Sequence, residues 1–371
     1  MTEPASPPAA LPDAASRDEP SEAAVAPTAA EPIRFVSIVC PLCRTDAATT
    51  QAEVGDVLHG LPGTFRLVRC TACGHVFMNP QPTANSLAAC YPDEYGCHTD
   101  AAEPVDLPPS GRTDDTTLAV PRSVRILKWV PGLRSLYRWL AEKQSDVVPS
   151  PGRTLELGCG RGDFLTRLRD AGHEVVGVDL VPRSVELCRR RGFDTRLGTL
   201  PEQNLPPQSV DAICGWMVLE HTPDPREVIA AAARAIRPGG TLALSVPDYG
   251  SLLRRLLGPY WLDLDPPRHL QHFTPRTLRA LLAEEGFAVE TLRHQRSAFG
   301  LVGSIGLWLR SGRSTRRFGD RVIGFVDSPS MRGELALAPL AKLLGWTRQS
   351  GRMTAVARRL PAANDASADR R

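Results

Sequence analysis

The stretch Leu155-Glu-Leu-Gly-Cys-Gly-Arg-Gly-Asp163 decides the fold of this chain, together with the downstream segment Gly177-Val-Asp179. The apolar run from Arg153 to Leu157 predicts a β-strand. The three glycines that follow allow a sharp turn and a close approach to a ligand, because no Cβ stands in the way. Apolar residues at helical spacing then predict a helix that ends at Gly172. Residues Glu174 to Val178 predict a second strand, which an acidic residue closes.

This strand–turn–helix–strand unit resembles the S-adenosylmethionine (SAM) site of class I methyltransferases. In that family an acid opens the motif, as Glu156 does here. A second acid, here Asp179, ends the next strand and accepts hydrogen bonds from the ribose hydroxyls. The nearest rival is the dinucleotide fingerprint Gly-x-Gly-x-x-Gly, whose third glycine would come one residue after Gly162. A turn that only joins the strand to the helix is the other alternative.

The resemblance implies SAM contacts from residues at several strand ends. They are Glu156, Gly158, Cys159, Gly160, Gly162, Asp179, Leu180, Thr199, Leu200 and Trp216. One position departs from the family pattern, since many relatives carry an acid near Thr199 that bonds the adenine amino group. A backbone carbonyl or the threonine hydroxyl has to make that bond here.

Four cysteines precede this unit as two knuckles, Cys40-Pro-Leu-Cys43 and Cys70-Thr-Ala-Cys73. Paired Cys-x-x-Cys knuckles predict a tetrahedral Zn²⁺ site of four thiolates, the zinc-ribbon arrangement. Disulfides are the alternative, and the absence of a visible leader argues against them. A closed site of this kind has a structural role. We expect the adjacent His75 to lie at the surface rather than to replace a cysteine ligand.

The sequence after the second knuckle continues Val76-Phe-Met-Asn-Pro80-Gln-Pro82, and later Tyr91-Pro-Asp-Glu-Tyr95. This run resembles the N-terminal zinc module of a broad bacterial group of class I methyltransferases, over about Ile33 to Tyr95. Such a module is too short to have a core of its own, so zinc is expected to hold it together.

Two histidines are candidate catalytic bases, His221 and His269. The first ends the motif Leu219-Glu-His, which recurs after strand four in the same methyltransferase group. A histidine is partly neutral near pH 7 and can take a proton from an acceptor hydroxyl or enol. The second lies in a long excursion, Pro247 to Phe273, of the kind that carries substrate contacts. The alternative is that Glu220 and His221 only bond the neighbouring loop.

The excursion also contains Asp265-Pro-Pro-Arg268, which superficially resembles the Asp-Pro-Pro-aromatic motif of amino-group methyltransferases. That motif follows strand four and ends in an aromatic residue, whereas this run follows strand five and ends in arginine. We therefore do not expect methylation of base nitrogens on this ground.

Basic and apolar residues alternate over 297–350. One interpretation is an interfacial helical hairpin that makes a peripheral contact with anionic lipid; a lid or a dimer face is the other. Elsewhere the charge is nearly balanced, with 44 Lys and Arg against 41 Asp and Glu, so no nucleic-acid partner is expected. No apolar run is long enough to span a membrane and no signal peptide is visible. We expect a cytoplasmic protein, with any membrane contact at the inner face.

The expected fold is an α/β, Rossmann-like sandwich with a mostly parallel seven-stranded sheet, preceded by a small zinc ribbon. The boundaries are a disordered tail (1–32), the ribbon module (33–95), a linker (96–121), the methyltransferase domain (122–296) that opens with amphipathic helices, the helical insertion (297–350), the last strand (351–360) and a tail (361–371).

The expected reaction is transfer of the SAM methyl group to an oxygen or carbon nucleophile of a small-molecule, sugar or lipid-linked acceptor. A zinc-ribbon rRNA base methyltransferase is the first alternative, although the ribbon lacks the clustered Lys and Arg of a nucleic-acid footprint. The second alternative is a SAM-binding or assembly protein without turnover.

Overall fold

The structure is a computed structural model that describes residues 33–91, 147–327 and 330–361. The predicted N-terminal tail, the linker, the leading amphipathic helices of the methyltransferase domain and the C-terminal tail beyond residue 361 lie outside the described residues. The same holds for the second tyrosine of the pair, Tyr95.

The N-terminal module is built from short antiparallel strands. Its strands are β1 (Phe35–Val36), β2 (Ala48–Val54), β3 (Phe65–Cys70), β4 (Val76–Met78) and β5 (Gln81–Pro82), followed by the short helix α1 (Ala84–Leu87). Strands β2, β3 and β4 form a meander, while β1 pairs with β5.

A seven-stranded sheet forms the centre of the larger domain. In chain order its strands are β6 (Arg153–Leu157), β7 (Glu174–Asp179), β8 (Asp194–Leu197), β9 (Val210–Trp216) and β10 (Ile236–Pro247). The next strand in the chain, β11 (Gln271–His272), lies in the excursion and is not part of this sheet. Strands β12 (Phe287–His294) and β13 (Arg352–Arg359) complete the sheet. The spatial order is β12-β13-β10-β9-β6-β7-β8, with β13 antiparallel to both neighbours. The five strands from β10 to β8 run parallel, which confirms the predicted Rossmann-like class.

Helices cover this sheet, as its buried strands require. They are α2 (Asp163–Asp170), α3 (Pro182–Arg190), α4 (Pro225–Ala235) and α6 (Pro275–Glu284), whereas α5 (Leu252–Leu257) belongs to the excursion. Helix α4 begins where the Asp224 side chain accepts the Glu227 amide, and α6 begins with a complete capping box between Thr274 and Thr277. Both caps satisfy amides that a helix leaves unpaired at its first turn.

Three further helices lie between β12 and β13: α7 (Phe299–Ser311), α8 (Arg316–Asp327) and α9 (Met331–Trp346). Helices α7 and α8 form a tight hairpin. A Cβ on Gly319 would come within 2.7 Å of the Gly306 carbonyl oxygen, so only glycine allows this close approach. None of the described helices combines the length and the apolar composition that crossing a bilayer requires.

The N-terminal module shares its core with the excursion that follows β10. Strand β11 of the excursion pairs with β4, so that His272 faces Val76 and the module's sheet becomes four-stranded. One apolar cluster joins the two parts; its buried members include Val54, Phe65, Leu67, Val76 and Met78 from the module, and Tyr249, Leu253, Trp261, Leu264 and Leu270 from the excursion. The module therefore has a hydrophobic core as well as its cysteines, and about half of the residues in that core come from the distant excursion.

Candidate functional site

The glycine-rich loop at the carboxyl end of β6 forms the sharp turn that the sequence predicts. Gly158, Gly160 and Gly162 all have positive φ angles, of 66°, 50° and 77°. At Gly158 an added Cβ would lie 2.5 Å from a methyl carbon of Val218, which follows β9. Any side chain at this position would therefore be strained and would also collide with the neighbouring segment.

Asp179 holds this loop in place. One carboxylate oxygen accepts the Gly160 amide at 2.8 Å, and the other accepts the Val181 amide at 2.9 Å. Each oxygen keeps a second lone pair, which is what the predicted ribose contact needs. The next residue, Leu180, is 60 % exposed beside this carboxylate, and Glu156 is buried on β6.

The remaining predicted cofactor residues differ in what they can offer. The side chain of Cys159 packs in a core cluster with Leu165, so only its main chain can contact a cofactor. The Thr199 backbone amide donates a hydrogen bond to the Glu202 carboxylate at 2.7 Å. An acid therefore lies near the position at which the family pattern has one for the adenine amino group, but three residues later in the sequence. Leu200 is buried. The Trp216 ring meets Phe164 edge-on at 5.1 Å, and its buried indole N–H has no partner in the described residues.

The two predicted bases come together with a third residue. His221 and His269 lie edge to face, with ring centroids 4.6 Å apart. Glu220, which precedes His221 in a short 3₁₀ turn after β9, offers a carboxylate oxygen to the same cluster. The three ligand-type atoms all lie within 4.8 Å of one another. We call these three residues the Glu-His-His cluster.

Backbone carbonyls fix the orientation of both imidazoles. His269 Nδ1 lies 2.8 Å from the Asp263 carbonyl oxygen, and His221 Nδ1 lies 3.1 Å from that of Arg268. Because a carbonyl can only accept, each Nδ1 carries the proton and each Nε2 keeps its lone pair. The Tyr91 hydroxyl also approaches His221 Nδ1, at 2.9 Å.

Burial favours the uncharged forms of Glu220 and His221. It lowers the pKa of His221 to about 3, with His269 nearby acting in the same direction. Burial also raises the pKa of Glu220 to about 8, and neither of its carboxylate oxygens has a hydrogen-bond partner in the described residues. The cluster can therefore accept a proton at imidazole nitrogens and has an unsatisfied carboxyl group beside them.

A comparison with known proteins assigns the domain. Residues 128–292 match a family described as a methyltransferase domain. The chain is 31 % identical over 170 residues to a probable S-adenosylmethionine-dependent methyltransferase of Mycolicibacterium smegmatis, covering 43 % of this chain and 63 % of that protein. It is 32 % identical over 130 residues to a malonyl-[acyl-carrier protein] O-methyltransferase of Serratia marcescens, covering 34 % and 50 %.

This chain carries a class I SAM-dependent methyltransferase domain. A ubiquinone biosynthesis O-methyltransferase of Idiomarina loihiensis is a further relative, 28 % identical over 133 residues that cover 33 % of this chain and 51 % of that protein. The chain thus spans about half to two thirds of the length of these curated relatives. A methyltransferase structure from Mesorhizobium loti aligns with a TM-score of 0.40 at 20 % identity, over 61 % of this chain and 96 % of that one.

Ahead of the methyltransferase domain, the four knuckle cysteines converge as a zinc site requires. The Sγ atoms of Cys40 and Cys73 are 3.6 Å apart and those of Cys43 and Cys70 are 3.5 Å apart, and all four cysteines are free thiols. Four thiolates around Zn²⁺, each about 2.3 Å from the ion, have this spacing. These residues therefore fit a structural zinc ion, which remains a prediction.

The expectation that His75 lies at the surface is wrong. Its side chain is fully buried, and its Nε2 lies 3.0 Å from the amide oxygen of Gln271. The Gln271 amide nitrogen in turn donates to the carbonyls of Thr222 and Pro223. Strand β11 covers the histidine, and no local sequence signal reveals that long-range pairing. The cysteine knuckle is thereby linked to the segment directly after His221.

Sequence reasoning also missed a buried ion network beneath the Glu-His-His cluster. Arg268, which has no exposed surface, bonds Asp265 at 2.6 Å and Asp56 at 2.8 Å, and it donates to the Cys90 carbonyl. Asp56 belongs to the N-terminal module, whereas Asp265 belongs to the excursion. Arg268 therefore ties the two parts together while its own carbonyl positions His221.

Proposed function

We propose that this protein transfers the sulfonium methyl group of SAM to an oxygen or carbon nucleophile of a small-molecule, sugar or lipid-linked acceptor. One observation carries the proposal: the glycine loop with Asp179 and the Glu-His-His cluster lie at the same edge of the sheet. The loop follows β6, Asp179 ends β7, and the 3₁₀ turn follows β9, which is the other neighbour of β6. Ligands of parallel α/β sheets bind at the carboxyl ends of the strands.

The separation between the two parts of the site is short. Gly158 of the loop directly contacts the segment that leads into the cluster, because a Cβ there would meet Val218, two residues before Glu220. A donor bound on the loop and an acceptor at the histidines would therefore be neighbours. Holding the methyl carbon and the nucleophile in line supplies much of the acceleration of such a transfer.

The acceptor loses a proton if its nucleophile is a hydroxyl or an enol. The Nε2 atom of His221 or His269 is the atom available to take it, since both Nδ1 atoms bond backbone carbonyls. The relatives that are named O-methyltransferases support an oxygen acceptor.

Purified protein incubated with methyl-labelled SAM and separate fractions of small molecules, lipids, glycans and RNA tests the proposal. Label in one of the first three fractions is expected. Label in RNA alone would favour the rRNA alternative, and bound SAM with no labelled product in any fraction would favour the protein without turnover. In a His221→Asn variant, SAM should bind as in the wild type while turnover falls by at least about a hundredfold.

The exposed tip of the α7–α8 hairpin supports a lipid-linked acceptor. Trp308 and Phe318 are 56 % and 58 % exposed there. The same hairpin carries four exposed arginines without a described ion-pair partner, namely Arg313, Arg316, Arg317 and Arg321. Aromatic and basic side chains together favour the surface of an anionic bilayer. Co-sedimentation with phosphatidylglycerol vesicles, lost when the four arginines become glutamine, is the expected result; equal binding by both proteins would contradict it.

A further inference from the structure

We propose that Glu220, His221 and His269 bind a divalent transition-metal ion, in a site separate from the four cysteines. Each residue offers one ligand atom, and the three atoms lie within 4.8 Å of one another. The point between them is within reach of all three. Two imidazole nitrogens and one carboxylate form the three-ligand set of many catalytic zinc sites, which keep a further position open.

The state of Glu220 is the first argument for an ion. Its side chain is completely buried, neither carboxylate oxygen has a hydrogen-bond partner, and no ion pair to it is present in the described part of the chain. Burying a carboxylate without a partner is costly, and an unsatisfied buried group in a folded protein calls for an explanation. A cation between Glu220 and the two imidazoles would satisfy this carboxylate.

The orientation of the histidines is the second argument. Ligating histidines usually donate their other ring N–H to a carbonyl or carboxylate, which fixes the tautomer and aims the free nitrogen at the metal. His221 and His269 both have this arrangement, with Nδ1 bonded to the carbonyls of Arg268 and Asp263. Two separate segments thus present their Nε2 lone pairs with the tautomer already set.

The backbone holds these two segments together before any ion binds. The Leu270 amide, next to His269, donates to the Glu220 carbonyl at 2.8 Å. The ligands therefore come from a preorganised junction between the turn after β9 and the excursion, and not from mobile side chains on a surface.

The role of the ion, unlike its binding, rests on the proposed function. A bound divalent cation would ligate the acceptor oxygen and lower its pKa, which is a recognised way to make a nucleophile at neutral pH. The two Nε2 atoms would then be ligands, so the acceptor oxygen would release its proton to solvent before it takes the methyl group from the sulfonium. The acceptor class is accordingly one with a hydroxyl or enolate oxygen that can bind a metal.

Metal content measured on the full-length protein tests this inference without an acceptor. The protein is saturated with Co²⁺, dialysed, and analysed by inductively coupled plasma mass spectrometry and visible absorption. We expect two equivalents in the wild type: one with the thiolate charge-transfer bands of the cysteine site, and one without them. Glu220→Gln and His269→Asn should each retain one equivalent, with the thiolate bands intact. The exposed His59, outside the cluster, provides the control His59→Asn, which should keep two.

A single equivalent that carries the thiolate bands in the wild type would overturn the inference, and so would two equivalents in Glu220→Gln. Circular dichroism and SAM affinity equal to those of the wild type show that each variant is folded. Failure of the metal inference leaves the proposed methyl transfer intact, because histidine would then act as the base. Two equivalents without methyl transfer to any fraction would instead contradict the proposed function alone.

Discussion

The replacement of Arg268 by methionine should destabilise the protein strongly, because it removes the guanidinium that bonds two buried carboxylates. Arg268 bonds Asp56 and Asp265 at 2.8 and 2.6 Å, and the side chains of all three are between 0 % and 4 % exposed. Removing one partner of such a buried network costs about 3–5 kcal/mol, since the remaining charge stays desolvated. Methionine keeps most of the apolar volume, so little of this loss would come from a cavity.

The matched control is Arg44→Met, which breaks the ion pair between Arg44 and Asp224. That pair has nearly the same distance, 2.7 Å, but its side chains are 50 % and 31 % exposed. An exposed pair is worth about 0–1 kcal/mol, so the control should change little. The free energy of unfolding is measured by urea denaturation with zinc present in every sample. A loss in Arg268→Met no larger than that in Arg44→Met would refute the buried network.

Three further outcomes are expected. Gly158→Ala should reduce SAM affinity, measured by calorimetry, by at least about tenfold, because the φ of +66° and the contact with Val218 both exclude a methyl group. Unchanged affinity would show that this loop is not part of the SAM site. Burial lowers the pKa of His75 to about 4, so the folded state binds fewer protons than the unfolded state at acidic pH. The free energy of unfolding should therefore be highest above about pH 6.5 and fall by up to about 3 kcal/mol as the pH drops towards 4. A free energy of unfolding that does not change over this range would contradict the buried, neutral state of His75. Cys73→Ser, which removes one ligand of the predicted zinc, should lower methyl transfer together with stability, because His75 and Gln271 connect the cysteine knuckle to the segment after His221. Full activity in this variant would contradict that connection.

The parts of this protein that sequence predicts well are those whose chemistry is local. The glycines of the loop and the two cysteines of each knuckle lie only a few positions apart, so motif spacing together with the family resemblance points to them and to Asp179 at the end of β7. The mostly parallel seven-stranded sheet is what the family resemblance implies, and the structure confirms that fold class.

The parts that sequence does not predict depend on contacts between distant segments. His75 and Gln271 are 196 positions apart, and only the pairing of β4 with β11 buries the histidine. Tyr91 reaches His221 across 130 positions. Neither apolar periodicity nor motif spacing carries information about such pairs, so the shared core and the surroundings of the Glu-His-His cluster emerge only from the fold.

The central claim is that the bend after β6, braced by Asp179, binds SAM. Isothermal titration calorimetry of the purified protein with SAM tests it most directly, with Asp179→Ala as the variant and Asp194→Ala, an exposed acid on the edge strand β8, as the control. We expect saturable binding by the wild type and the control, and a loss of at least about tenfold in affinity in Asp179→Ala, because this variant loses both the bond to Gly160 and the ribose acceptors. A folded wild-type protein that shows no binding of SAM, or an Asp179→Ala variant that binds it equally well, would contradict the account.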